Sequence, residues 1–313
     1  MTGRITAYEA AAAMLDAMTA GGIVPRNPGE VASKLQRGDL VRFPCEGERG
    51  PNGWARLYLD GRPAGAFGNW RLGIDGRWKA GGDLPAVRPD RGAIAARRAA
   101  EREAEWFRHR RAADVAAALW EASKPADSGH AYLTAKRLGS CDLRQEGRQL
   151  LVPLRDVVGR LWNVQRIFPD GGKRFLPEAR IAGLMWRIGF PDDGSPDVIA
   201  IGEGFATVAA INRATACPAV AAMTAGNLSA AAVAVAAAFP AARLILCADM
   251  DPEQSGNGGL LKANAAALAA GGLVARPPRP PGWPDGKGFD FADTWKLPSG
   301  GDLIRRALGI ARY

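Results

Sequence analysis

Acidic residues at three places in the C-terminal half have the types and spacing that metal chemistry needs. Glu203 follows the apolar run Val198-Ile-Ala-Ile-Gly202 and stands between Gly202 and Gly204, which permit a sharp turn and close approach of a ligand. Asp249 and Asp251 follow Leu244-Ile-Leu-Cys-Ala248, and their i, i+2 spacing puts both carboxylates on one side of an extended backbone. Asp290 and Asp293 lie in Phe289-Asp-Phe-Ala-Asp-Thr-Trp295. Carboxylates gathered at one sheet edge repel one another unless a cation is among them. Hard oxygen donors of this kind suit magnesium or manganese. A single Asp-x-Asp after a strand carries little weight, because Asp is frequent in turns and helix caps. Three acidic signals in order, separated by helical segments, carry much more.

The elements that must position them have a clear rhythm. Apolar strands over 198–202, 219–224, 243–248 and 273–275 alternate with helical patterns over 205–214, 228–239 and 259–270. That alternation predicts an α/β fold with a doubly wound, mainly parallel sheet, whose ligands bind beyond the carboxyl ends of the strands. The N-terminal half reads as α+β. A helix is expected from Thr6 to about Ala20, then short strands with Gly-rich turns from Val41 to Trp78. Within them, the run from Trp54 to Trp70 suits a hairpin turning at Asp60-Gly61. Its Trp54, Tyr58, Phe67 and Trp70 either stack bases beside arginine or form the core of a small sheet. A linker with Pro85 and Pro89 precedes a long helix from Arg91 to about Ser123. Its arginines are interleaved with Glu101, Glu103 and Glu105, as on a solvated, salt-bridged face. A shorter helix over 130–138 leads into a strand-rich stretch from Leu150 to Trp186.

The chain has 313 residues, 47% of them hydrophobic, enough for more than one core. A net charge of +9 favours a polyanionic partner such as nucleic acid, although a composition rich in Arg, Ala and Gly contributes to it. Cys45, Cys141, Cys217 and Cys247 are scattered, with only His109 and His130 to complement them, which excludes a zinc ribbon. Apolar surroundings of Cys217 and Cys247 and the lack of a signal peptide pattern point to a reducing cytoplasm, and no apolar run suits a bilayer span.

From about Val198 to Leu308 the Gly-Glu-Gly, Asp-x-Asp and Asp-Phe-Ala-Asp signals together resemble the Toprim domain of bacterial-type primases, topoisomerases and certain nucleases. The resemblance implies that Glu203 is an acid/base or metal-ordering carboxylate. It also implies that Asp249 and Asp251 are metal ligands, with Asp290 and Asp293 supporting a second metal. Thr207 stands where bacterial-type primases often carry another Asp, a departure that suits the phage and plasmid branch. Residues 151–168 and then Gly172-Lys-Arg-Phe-Leu-Pro-Glu178 are similar to the basic segment that precedes Toprim in primases, which implies that Arg166, Lys173 and Arg174 bind nucleotide and template. The run from Trp54 to Trp70 is similar to the leader of plasmid and phage primases that lack a zinc finger.

The organisation expected is a small α+β template-engaging region over 1–84, a linker and Arg-rich helix over 85–140, a basic strand-rich segment over 141–196, and a Toprim catalytic domain over 197–313. The function implied is a DNA primase that makes short RNA primers on single-stranded DNA from ribonucleoside triphosphates with Mg2+ or Mn2+. No G-x-x-x-x-G-K-[ST] loop occurs, so a replicative helicase would act in trans. A Toprim nuclease and a non-catalytic single-strand-binding replication module are the alternatives. The former would use the same metals to activate water.

Overall fold

The structure, a computed structural model, describes residues 5–48, 50–81, 91–192, 195–252, 256–284 and 286–310, with the backbone alone for 91–94. The expected linker with Pro85 and Pro89 lies outside the described residues. The chain forms two compact units, 1–103 and 104–313. Among the described residues no helix is long and apolar enough to cross a membrane.

In the first unit, α1 (Ala7–Ala20) begins at a capping box. Thr6 accepts from the Glu9 backbone N–H, and the Glu9 carboxylate accepts from the Thr6 N–H at 2.7 Å. After α2 (Pro28–Leu35), β1 (Leu40–Phe43), β2 (Gly53–Tyr58), β3 (Ala64–Asn69) and β4 (Ile74–Lys79) form an antiparallel sheet in sequence order. Period-2 alternation divides its side chains. Val41, Phe43, Ala55, Leu57 and Phe67 pack with Met14, Met18, Val31 and Leu35 of the helices. The other side keeps Leu40, Tyr58, Trp70 and Ile74 exposed. Trp54 stacks on Trp70 at 6.1 Å, and the Arg42 guanidinium lies 5.0 Å from the Trp70 ring. The aromatic segment is thus divided, with Phe67 in the core and Trp70 facing water.

Helix α3 spans Arg91–Ala122, and its Arg97 pairs with Asp60 at 2.7 Å and with Glu101 at 3.7 Å, as a salt-bridged face requires.

The second unit holds two sheets. Strands β5 (Lys124–Pro125), β6 (Arg144–Glu146), β7 (Gln149–Arg155), β8 (Leu161–Ile167) and β9 (Lys173–Phe175) form an antiparallel sheet, with the short helix α4 (Ala131–Lys136) inserted after β5. The other sheet combines β10 (Trp186–Ile188), β11 (Val198–Gly202), β12 (Ala219–Ala221), β13 (Arg243–Cys247) and β14 (Leu273–Ala275) in the order β10-β12-β11-β13-β14. Pairings among β11 to β14 are parallel, and only the edge strand β10 is antiparallel. Helices α5 (Phe205–Thr215), α6 (Leu228–Ala238), α7 (Gly258–Ala270), α8 (Phe291–Trp295) and α9 (Gly300–Leu308) cover it.

Alternation along the parallel strands explains why both faces are covered. Ala200, Ala219, Ala221 and Ile245 pack with Phe205, Val208, Phe291 and Ile304 of α5, α8 and α9. Ile199, Ile201, Val220 and Leu246 pack with Leu228, Val235 and Ala263 of α6 and α7. Small Ala residues on the first face leave room for Phe205, which meets Trp186 edge to face at 4.8 Å. Burying a side chain of that size stabilises the fold by about 1.5–3 kcal/mol. With both faces of β11 to β13 apolar, the acidic residues fall where those strands end.

Candidate active site

Each acidic residue sits where a strand of the parallel sheet gives way to a turn. Glu203 follows β11, and its carboxylate accepts the Ala225 backbone N–H at the start of a 3₁₀ turn over Ala225–Asn227. The flanking glycines serve close packing rather than left-handed backbone. A Cβ on Gly202 would lie 3.0 Å from Val208, Gly204 caps α5 at φ −104°, and Lys173 Nζ lies 3.9 Å from where a Cβ on Gly204 would stand. Thr207 is buried in α5.

Asp249 and Asp251 follow β13. The Asp251 carboxylate is turned to the N-terminus of α7, where it accepts the Gly259 N–H at 2.7 Å. A Cβ on Gly259 would collide with the Asp249 carbonyl oxygen, so only glycine lets α7 start so close to the loop. An antiparallel bridge between Met250 and Phe289, with N–H to carbonyl distances of 2.9 and 2.8 Å, lays the second acidic segment beside the first. Asp290 then caps α8 by accepting the Asp293 N–H at 2.7 Å. Asp293 itself pairs with Lys296 at 2.8 Å.

These groups feel one another strongly. Burial, and then the charges of Asp290, Glu203 and Asp251, push the Asp249 carboxyl up to about 8, with Lys173 pulling the other way. Burial also raises Glu203, assisted by Asp251 and opposed by the Ala225 N–H, Lys262 and Lys173. The Lys173 residue is exposed along its length, yet protein crowds its ammonium. That desolvation and then Lys136 lower its pKa, against the pull of Glu203, Asp249 and Asp290. Tyr132 is pushed up to about 12 by burial and by Asp290.

Of the basic residues expected to serve this site, Lys173 is brought to the carboxylates. Arg166 instead pairs with Glu146 at 3.2 Å, and Arg174 lies 5.9 Å from the Phe168 ring. Reading the sequence missed Lys262, Lys136 and Gly259. Lys262 stands about one turn into the helix that follows Asp-x-Asp, a signal that was available; Lys136 carried none.

Among the described residues no three His, Cys, Asp or Glu side chains close into a ready metal shell. The donor set nevertheless fits a hard divalent cation. Asp249 Oδ1 is buried without a hydrogen-bond partner, and the pKa of its carboxyl is raised by burial and then by neighbouring negative charge that a cation would neutralise.

Residues 198–299 match the family model of the Toprim domain, and with the parallel sheet and its acidic turns this part of the chain is a Toprim domain. The chain is 33% identical over 280 residues to a DNA primase TraC of Escherichia coli, covering 85% of this chain and 26% of that protein. It is 31% identical over 277 residues to a second DNA primase TraC of Escherichia coli, covering 84% of this chain and 19% of that protein. It therefore spans about a quarter or less of the length of these relatives. Among solved structures, the primase fragment of the bacteriophage T7 primase-helicase protein aligns with a TM-score of 0.43 at 15% identity, over 86% of this chain and 98% of that one.

Proposed function

We propose that the chain is the catalytic part of a DNA primase of the plasmid and phage type, making short RNA primers on single-stranded DNA from ribonucleoside triphosphates. The observation that carries this reading is the similarity to DNA primases named TraC over 85% of the chain. That coverage must run well beyond residues 198–299. A nuclease sharing only the Toprim domain would not require it.

In this reading Asp249, Asp251 and Glu203 hold divalent metal, Mg2+ or Mn2+, with Asp290 and Asp293 supporting a second position. When bound, the metal supplies the Lewis acidity that lowers the pKa of an attacking 3′-hydroxyl and stabilises the pyrophosphate leaving group. Glu203 orders metal or relays a proton, for which an elevated pKa is suited. Lys173 meets the triphosphate opposite the carboxylates, while Arg166 and Arg174 contact nucleotide or template backbone. Residues 1–84 engage template, supported by the exposed Trp70 with Arg42 over its ring. The 85–140 helical region connects them to the basic 141–196 segment and the 197–313 catalytic domain. A replicative helicase acts in trans.

The test is incubation with single-stranded DNA, labelled ribonucleotides and magnesium. Labelled extension product is expected. Shortened template without extension means the nuclease, and retention of DNA without chemistry means a binding module.

A further inference from the structure

The unit 104–313 carries a second polar groove, of about 550 Å³, lined by Trp120, Asp142, Arg155, Arg187, Phe190 and Asp192 among others. It lies at the end of β8 opposite the β8–β9 turn that leads to Lys173, a strand length of about 20 Å away. Arg155 ends β7 and Arg187 is in β10. The two strands are stitched there, because Arg155 and Met185 exchange both backbone hydrogen bonds at 2.8 Å.

Both guanidiniums converge on the turn between β7 and β8. Arg155 Nη1 donates to the Gly159 carbonyl at 2.9 Å and Arg187 Nη1 to the Val157 carbonyl at 3.3 Å. Gly159 has φ +90°, and Arg187 Nη2 lies 4.0 Å from where its Cβ would stand, so glycine lets the two cations approach one turn. Each therefore spends one nitrogen on the turn and keeps the rest of its fork for a ligand.

The carboxylates nearby stop short of pairing with these cations. No carboxylate among the described residues lies within ion-pair distance of either guanidinium. Asp156, the nearest in sequence, is spent on the Arg160 N–H at 2.9 Å and the Trp162 Nε1 at 2.8 Å. Burial and then the charge of Arg187 lower the pKa of Arg155, which Asp156 offsets only in part. Two partly desolvated cations facing one another, with no carboxylate of the described residues in ion-pair distance, form a pair that a phosphate would relieve, and arginine forks match phosphate geometry.

The rest of the lining is not anionic-ligand chemistry alone. Arg155 lies 5.8 Å from the Trp120 ring and Arg187 5.3 Å from that of Phe190. Asp142 follows Cys141, and both hold left-handed backbone at φ 54° and 51°, a conformation costly for residues other than glycine and concentrated at binding sites. Paired phosphate donors, aromatic faces and carboxylate acceptors together match one nucleotide.

We propose that this groove binds a nucleotide unit, with Arg155 and Arg187 taking the phosphate and Asp142 and Asp192 accepting from its hydroxyl or amino groups. The unit is either one residue of a single strand or a free nucleotide, and the proposal does not depend on the primase reading. The test uses the full chain in EDTA, so that neither metal nor synthesis contributes, with fluorescent (dT)12 and a fluorescent GTP as probes. Arg187→Ala should weaken one probe by about tenfold or more, as loss of a charge-assisted contact does. Loss for (dT)12 assigns the groove to a strand and loss for GTP to a free nucleotide. Should Arg187→Ala melt early, Arg187→Lys keeps the charge and loses the fork, and several-fold weaker binding with normal melting is expected. The proposal is overturned if the wild type binds neither probe, or if well-folded Arg187 variants bind both as the wild type does.

Discussion

The sheet of residues 40–79 and the parallel sheet of residues 186–275 put their polar chemistry in different places, and the reason is how many faces each has covered. Helices cover one face of the antiparallel sheet, which leaves Arg42, Tyr58 and Trp70 exposed on or beside the strands. Helices cover both faces of the parallel sheet, so the interiors of its parallel strands β11 to β13 are apolar. Its acidic groups come after the strands end, at Glu203, Asp249 and Asp251. An open face offers a broad surface that tolerates many ligands. Strand ends offer a few fixed groups that can be driven close together, as the shift of Asp249 to about 8 illustrates.

If the strand ends hold the chemistry, the largest effect falls there. Asp249→Ala combined with Asp251→Ala should abolish metal-dependent nucleotide incorporation. No partner depends on Asp249 Oδ1, so the loss of stability should be no more than that of the cap Asp251 gives α7, about 0.5–2 kcal/mol. Unchanged incorporation would remove this site from the mechanism. Next in size, Glu203→Gln should lower the synthesis rate by about 10²–10⁴-fold with little change in affinity for single-stranded DNA. Loss of DNA binding and thermal stability together would make Glu203 a turn residue instead, bound to Ala225 alone.

The open face should respond differently. Trp70→Ala is expected to weaken single-stranded DNA binding by about tenfold, the scale of one lost base stack, and to leave the melting temperature near the wild-type value because the residue is 53% exposed. Equal affinity in a filter-binding titration would return this face to a surface without function.

A smaller effect distinguishes the two regions by pH. The folded state holds the Asp249 proton more tightly than the unfolded chain does, so metal-free stability from this group is lost as pH rises from about 4 towards 8. Calorimetry in EDTA should show that decline, and Asp249→Asn should flatten it. Variants of the exposed face should leave its slope alone. The smallest change expected is in Asp60→Asn, which breaks an exposed ion pair with Arg97 and should cost no more than about 1 kcal/mol by urea denaturation.

Period and punctuation made the order of elements legible. Residues 198–202 and 244–247 are apolar without interruption, the mark of strands buried on both faces, and the helices that follow them begin and end within a few residues of where the pattern changes. Acidic residues immediately after such strands could be named from the chain alone, because parallel topology sends every strand end to the same edge. Whether Trp54 to Trp70 faced core or water was not legible, since alternation says that two faces exist and not which of them helices will cover. Nor could spacing reveal that Asp251 caps α7, that Arg166 is held by Glu146, or that Lys136 and Lys262 share the field of Glu203 and Lys173. Those relations join residues from eight to several tens of positions apart. Local propensity dictates the strand and the turn that follows it, whereas the charge a carboxylate feels depends on burial and on neighbours that only the folded chain assembles.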